Sequence, residues 1–473
     1  MNDFVMNIKK VMMVFLILFI ALISYITYSF MFNSDKTVAS TFNQRLWAER
    51  NKVLRGTIYD KDLVALTKSE KISVTSQKIT YLGGAAFAHA IGYMDTVYGL
   101  SGLEKKYDQE LMGTETIITK FLSKEKEEEK VGNGLRTTLD SKLQKKAYEL
   151  LKGKRGAIVA MNPSTGEVLA MVSMPSYDPN NLAKSWEAML ANKDRPLLNR
   201  AVSGLYPPGS VFKTITAISA LENIPNVYNK EFVDNGKLVF NESSSLENYA
   251  GHVMGNLDFT DAYVMSSNVV FGSLGIDLGN NALKETAEKF YFNKDIPAQG
   301  LTIDHSIFPT YKSNEKGNVA QSAIGQSEVL ATPMEMALVA STVANGGTMM
   351  EPMLVKEILD SKGKSIKKIE PKPLNQVMSK ENAGIMKDLM KGVVAEGTGS
   401  KNASISDIVV CGKTGTADHK QVQGEDYSAH SWFTGFAPYE NPQIAIAVIV
   451  EEGGTGGGIA AEITRKLIET YLK

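Results

Sequence analysis

Three short clusters carry hydroxyls, amines and an amide at spacings suited to acyl transfer. Ser210 and Lys213 stand three residues apart just after Pro207, Pro208 and Gly209, at the start of an apolar-periodic segment, residues 210–221. Residues three apart share a helix face, so the spacing sets a hydroxyl beside an amine. It also puts the hydroxyl in a first helical turn, where N–H groups and the helix dipole favour a developing anion. Such a pair suits nucleophilic catalysis. Ser-x-x-Lys alone discriminates poorly, since it recurs at Ser123/Lys126, Ser313/Lys316, Ser361/Lys364 and Ser365/Lys368. Those pairs lie in polar, charged or Gly-containing surroundings; only Ser210 opens an apolar helix after a Pro/Gly turn.

The second cluster is Ser266-Ser267-Asn268, after an apolar helical stretch. Ser266 can relay a proton and Asn268 can hydrogen-bond a substrate amide, and the same residues also suit an ordinary helix cap. A competing Ser-x-Asn, Ser400 to Asn402, follows Gly397-Thr398-Gly399 in a Gly/Ser/Asn-rich loop. The third cluster, Lys413-Thr414-Gly415 followed by Thr416, occurs once, at the end of an apolar strand predicted over residues 408–413. A lysine, two hydroxyls and a glycine that allows close backbone approach suit docking of a carboxylate-bearing peptide along a strand edge. A phosphate loop is excluded because the first glycine of that pattern is Asp407 here.

The elements that must hold these clusters imply an α+β architecture. Thr138-Leu139-Asp140 predicts a capped helix through Leu151, residues 156–161 and 167–173 predict a hairpin, and residues 431–436 and 444–451 predict further strands. A final helix is expected over residues 460–472. Strands at both ends of this body with helices between them imply one antiparallel sheet assembled from distant segments, with helices packed around it.

Ahead of it, residues 11–34 hold no charge, enough for a helix across a ~30 Å hydrocarbon core. The expected organisation is a tail (1–10), a membrane anchor (11–33), a mixed N-terminal region (34–134) and a catalytic body (135–473), with the charged run 124–130 as the boundary. Lys9 and Lys10 favour a cytoplasmic N-terminus, although Lys36, Arg45, Arg50 and Lys52 lie close on the other side. A short tail before a long body is more easily arranged with the body translocated. A cleaved signal peptide fits less well, the apolar stretch being too long and no small-x-small site following.

Composition narrows the partners. The chain has 473 residues, 51 basic and 52 acidic, a formal charge of -1 that gives no nucleic-acid footprint. One cysteine, Cys411, excludes an internal disulfide and multi-cysteine metal sites, and sits in an apolar run as a buried strand residue would. The five histidines show no ligand spacing. No metal and no cofactor is expected.

The ordered triple Ser-x-x-Lys, Ser-x-Asn, Lys-Thr-Gly is far more specific than any member. The chain resembles the class B penicillin-binding proteins, membrane-anchored D,D-transpeptidases that cross-link peptidoglycan. The likeness extends to the anchor, to the boxes at Arg55-Gly56 and Gly102-Leu103-Glu104, to residues 156–159 and 166–171, and to Gly325-Gln326 with Thr332-Pro333. Family members often have glycine where this chain has Ser327, and Lys61-Asp62 replace the usual Arg-Gly. Residues 34–134 are too few for the glycosyltransferase domain of bifunctional relatives. They look like the small dimerisation-type region of the compact penicillin-binding protein A-like subgroup.

The resemblance implies Ser210 as nucleophile, Lys213 as its base, Ser266 as proton shuttle to the departing D-alanine, and Asn268 as ligand of the stem-peptide amide. Lys413 would be the second cation that keeps Lys213 neutral. Thr414, Gly415 and Thr416 would bind the terminal carboxylate, and N–H groups of Ser210 and Thr416 would form the oxyanion hole. The implied partners are peptidoglycan stem peptides (a D-Ala-D-Ala donor and an amine acceptor), β-lactam antibiotics, the membrane and partner proteins of cell-wall synthesis. Two alternatives stand beside transpeptidation. One is hydrolysis, as a D,D-carboxypeptidase or β-lactamase; the other is a degenerate β-lactam-binding scaffold or sensor. The intact triple, and ten residues before the anchor with no room for an output domain, speak against the scaffold. No separate deacylating carboxylate is evident near the three clusters, Glu328 and Glu335 reading as helix-surface salt-bridging residues.

Overall fold

The computed structural model describes residues 2–38, 47, 50–73, 76–113, 130–417 and 429–473. Helix α1 (Asn2–Val38) contains a stretch, Met6–Tyr28, of mean hydropathy 2.5 that is long and apolar enough to cross a membrane. It starts earlier than the expected span because the helix continues through Lys9 and Lys10. The charged run expected to divide the two bodies lies outside the described residues up to position 129.

Between the anchor and the catalytic body, two boxes distant in sequence meet. Arg55, buried, pairs with Glu104 and with Asp108 at 2.8 Å, and Arg50 also pairs with Asp108. Removing one partner of such a buried pair costs about 3–5 kcal/mol because the other charge is left unpaired. Gly56 follows Arg55 where a Cβ would lie 1.8 Å from the Asn133 carbonyl oxygen, so only glycine admits that crossing. Strand β1 (Ile58–Tyr59) then pairs in parallel with β2 (Gly134–Thr137).

The catalytic body is built on one sheet. Asp140 caps α2 (Ser141–Leu151) through the Leu143 N–H at 2.9 Å, and β3 (Gly156–Met161) and β4 (Val168–Met174) form the expected hairpin. Helix α3 (Lys213–Asn223), strand β5 (Glu231–Asp234), helix α4 (Asn268–Lys289) and helix α5 (Pro333–Ala344) follow. Strand β6 (Val355–Leu359) pairs with β2, tying the N-terminal sheet to the catalytic body. Helix α6 (Lys380–Ala395) leads to β7 (Cys411–Ala417), β8 (His430–Ala437), β9 (Ile444–Val450) and helix α7 (Ile459–Leu472). The antiparallel sheet runs β7-β8-β9-β3-β4, so the strands of this sheet that come first and last in the sequence lie side by side within it.

A period of two explains why β9 is apolar throughout. Ala445, Ala447 and Ile449 face the core that holds α5, whereas Ile444, Ile446, Val448 and Val450 face the one that holds α2 and α7. Each fully buried aliphatic contributes about 1.5–3 kcal/mol.

The structure corrects two expectations. Strand β7 begins at Cys411 rather than residue 408, Val409 being exposed, so Lys413-Thr414-Gly415 lies inside the strand and not at its end. The apolar run misplaced the boundary because Ile408 bridges only to Ile405. Glu335 is not a surface salt-bridging residue. It is fully buried in the first turn of α5, and among the described residues neither carboxyl oxygen has a hydrogen-bond partner. Burial pushes its carboxyl well above the usual range, and the nearby Ser306 hydroxyl offsets this only in part.

A stability prediction follows. An unfolded carboxyl ionises near pH ~4.3 while the native one stays protonated, so native stability falls as pH rises above that value. Glu335→Met, which keeps the volume and removes the unpartnered oxygens, is expected to stabilise the fold by about 1–3 kcal/mol at neutral pH. Melting curves should show that advantage shrinking towards pH ~4.3. A variant less stable than the parent at neutral pH would contradict this.

Candidate active site

The nucleophile turn is held from several sides. Gly209, Ser210, Val211 and Phe212 form a 3-10 turn that runs into α3, so Ser210 lies one turn before the α-helix proper. Gly209 has φ 56°, and a Cβ there would lie 2.6 Å from the Thr416 carbonyl oxygen; glycine lets the turn rest on β7. Behind it, Gly209 N–H donates to Gly325 O at 2.9 Å, which gives the Gly325-Gln326 box its place. Ser327, where relatives favour glycine, has φ 63° and a 2.7 Å hydrogen bond between its hydroxyl and that of Tyr311. Its left-handed backbone accounts for the glycine preference.

Two buried lysines converge on one serine. Lys213 Nζ donates to Ser266 O (2.7 Å), Asn268 Oδ1 (2.7 Å) and Ser266 Oγ (3.2 Å). Lys413 Nζ donates to Ser266 Oγ (2.9 Å) and Thr414 O (3.3 Å). Both lysines are fully buried. Burial, then the charge of Lys413, holds Lys213 well below the ordinary lysine range, while Asp234 acts the other way. Burial pulls Lys413 down to about 7. Ser266 sits at φ 62°, a conformation costly for a residue with a Cβ, and from there its hydroxyl reaches both amines. Ser267 does the helix capping, its hydroxyl accepting from Val270 N–H at 3.0 Å. Contact with the two lysines and capping of the helix are thus divided between adjacent serines.

The four predicted residues Lys213, Ser266, Asn268 and Lys413 form one network. Ser210 joins it through the chain, its half-buried side chain making no hydrogen bond among the described residues. Thr414 and Thr416 alternate with Lys413 and Gly415 along β7. Gly415 faces the nucleophile turn, where a Cβ would meet Val211 and Pro208 O. The Thr414 hydroxyl pairs with that of Thr398 at 2.6 Å, and Thr416 Oγ1 accepts from Gly456 N–H at 3.2 Å.

Sequence reasoning missed these supports. Thr398 belongs to the Gly397–Gly399 loop that was set aside, and the glycine run 456–458 lies so close to β7 that a Cβ on Gly456 would be 2.3 Å from Gly415 O. That run was the available signal. It also missed Glu451, whose carboxylate accepts from Arg200 Nε and the Tyr206 hydroxyl, both at 2.7 Å, and Trp432, whose indole N–H donates to Pro207 O at 3.0 Å. Together they clamp the segment leading into Ser210.

The chain and its fold are similar to known proteins. The penicillin binding protein transpeptidase domain matches residues 156–469. The chain belongs to that family. The penicillin binding protein A dimerisation domain matches residues 55–135. Among relatives of this transpeptidase, the peptidoglycan D,D-transpeptidase PbpA of Mycolicibacterium smegmatis is 31% identical over 499 residues, covering 99% of each chain. The peptidoglycan D,D-transpeptidase MrdA of Escherichia coli is 30% identical over 88% of this chain and 68% of its own length. The penicillin G acyl-enzyme complex of penicillin-binding protein A from M. tuberculosis superposes with a TM-score of 0.82 at 30% identity, covering 89% of this chain and all 100% of that one. The transpeptidase therefore groups with the class B, penicillin-binding protein A-like members.

Proposed function

We propose that this protein is a serine D,D-transpeptidase that cross-links peptidoglycan stem peptides through an acyl-enzyme on Ser210, and that β-lactams acylate the same residue. The observation that carries the reading is the buried Lys213–Ser266–Lys413 network beside Ser210, in a chain of this family. A neutral Lys213 can donate to Ser266 O and Asn268 Oδ1 and keep its lone pair for the Ser210 proton. Ser210 Oγ attacks the carbonyl of the penultimate D-alanine and its proton passes to Lys213. The resulting oxyanion is met by the N–H groups of Ser210 and Thr416, commonly a ~3–4 kcal/mol element. Ser266 hands a proton to the leaving amine and takes the one held by Lys213 in its place, the C–N bond breaks, and D-alanine departs. An amine of a neighbouring stem then attacks the ester, giving a proton to Lys213 that passes to the departing Ser210 Oγ and returns it to its starting state.

In this reading Asn268 orients the stem-peptide amide, and Thr414, Gly415 and Thr416 receive the terminal carboxylate beside Lys413. Residues 11–33 anchor a single-pass protein whose short N-terminal tail (1–10) is cytoplasmic. Residues 34–134 are the dimerisation-type region and 135–473 the extracytoplasmic catalytic body, facing its substrate and partner proteins of wall synthesis. Labelling intact cells with a fluorescent, membrane-impermeant penicillin tests site and topology together. Cells carrying the parent protein should give a labelled band that Ser210→Ala abolishes. A band that persists in Ser210→Ala, or that appears only after lysis, would overturn the assignment or the orientation.

A further inference from the structure

Asp234 closes β5 with no solvent exposure. Among the described residues no lysine or arginine pairs with its carboxylate; neutral donors surround it instead. Oδ1 accepts from Gly236 N–H and Asn248 Nδ2, and Oδ2 accepts from Asn248 Nδ2, each at 2.8 Å, while the Ser267 hydroxyl donates to Oδ2 at 2.5 Å. A buried carboxylate is costly unless hydrogen-bonded, and this one has four such contacts.

Those contacts lead to the catalytic network. Asn248 is buried, and with its amide nitrogen committed to Asp234 and to His252 O (2.8 Å), its Oδ1 must face the start of α4. There it accepts from Asn268 N–H (2.8 Å) and Val269 N–H (3.2 Å). Ser267, oriented by giving its proton to Asp234, turns its oxygen to Val270 N–H. The first three N–H groups of α4 are thus met by two side chains that one carboxylate orients, and the helix dipole favours that negative charge nearby. The segment so held is the one that puts Ser266 in its left-handed conformation and Asn268 Oδ1 on Lys213.

We propose that Asp234 is the positioning residue that, through Asn248 and Ser267, holds Ser266 and Asn268 against Lys213. This rests on the site roles given above. Asp234 touches none of the reacting groups, but among the described residues it is the acidic side chain that acts on Lys213. Lys413 from β7 is the other charged group there; α4 presents uncharged Asn268 and Phe271, and Tyr263, from Phe259–Val264, faces Lys413 with its ring centre 5.6 Å from Nζ.

The test is stopped-flow acylation of the full-length protein by benzylpenicillin across pH, with Asp234→Asn. The variant is isosteric but cannot accept from all three donors, so the Ser266–Asn268 segment shifts. The limiting acylation rate should fall between about tenfold and a hundredfold, as misplacement on the ångström scale does. Loss of the anion also lowers the proton affinity of Lys213, so the acid limb of the pH profile should move to lower pH. Mass spectrometry should still find the adduct on Ser210; absence of an adduct on the parent protein would sink the site roles themselves instead. Parental rate and profile in Asp234→Asn, or a loss matching only its unfolded fraction with the limb unmoved, would overturn the proposal. If Asp234→Asn does not melt cooperatively, Ser267→Ala decides, since it cuts one link and keeps the charge. A slowed limiting rate with the acid limb in place supports positioning by Asp234, and a parental rate refutes it.

Discussion

Lys213→Ala is expected to slow acylation of Ser210 by benzylpenicillin on the order of a hundredfold to ten-thousandfold, the usual contribution of a general base. Reversible docking before the covalent step should change less, because the amine faces Ser266 and Asn268 rather than the carboxylate-binding side of β7. Lys413→Ala should weaken both docking and acylation. Its effect on pH has a definite sign. The positive charge of Lys413 helps keep Lys213 deprotonated, so its removal lets Lys213 hold its proton to higher pH and moves the acid limb of the acylation profile upward. In the parent protein, loss of the Lys413 proton at about 7 should bring acylation down on the alkaline side, unless a bound carboxylate holds that proton on. The limbs belong to the coupled pair and not to either lysine alone. Stopped-flow acylation from pH 5 to 10 would reveal this. Identical losses in the same kinetic step for both variants would collapse the division of roles.

The second large effect is the lifetime of the adduct. Water releases an ester quickly only when a positioned base activates it. Among the described residues, the buried Glu335 and Asp234 and the half-buried Glu451 have other engagements. Glu335 is locked in the core of α5, Asp234 is saturated by neutral donors, and Glu451 binds Arg200 and Tyr206. Ser210 should therefore carry a penicilloyl ester that persists for many minutes, with β-lactams acting as inhibitors. Intact-protein mass spectrometry after mixing with benzylpenicillin reads this directly. An adduct lost within seconds, with penicilloic acid accumulating, would favour the β-lactamase alternative. For a stem-peptide substrate, release of D-alanine without an acceptor amine at the rate seen with one would favour the carboxypeptidase.

Local context, with the order of the three motifs, marked Ser210, Lys213, Ser266, Asn268 and Lys413 as candidates in sequence, since proline, glycine and apolar periodicity are short-range signals that mark where a helix or strand must begin. The same signals marked the β3–β4 hairpin, the cap of α2, the strands β8 and β9, and the membrane-length stretch in α1. Tertiary structure decided what burial and long-range pairing control. That Ser267 and not Ser266 caps α4 goes with its bond to Asp234, that β7 starts at Cys411 with its pairing to Phe436, and that Arg55 meets Glu104 with the fold of the N-terminal region, all partners distant in sequence. No spacing rule encodes them. Burial likewise turned Glu335 from an apparent surface residue into an unpartnered core carboxyl, because an acidic residue at a helix start looks the same in sequence whichever way the helix face turns. The low proton affinities of Lys213 and Lys413 are of the same kind. The sequence supplies two amines, but only the fold, by removing both from water and setting them on one serine, lowers their hold on a proton as the proposed base requires.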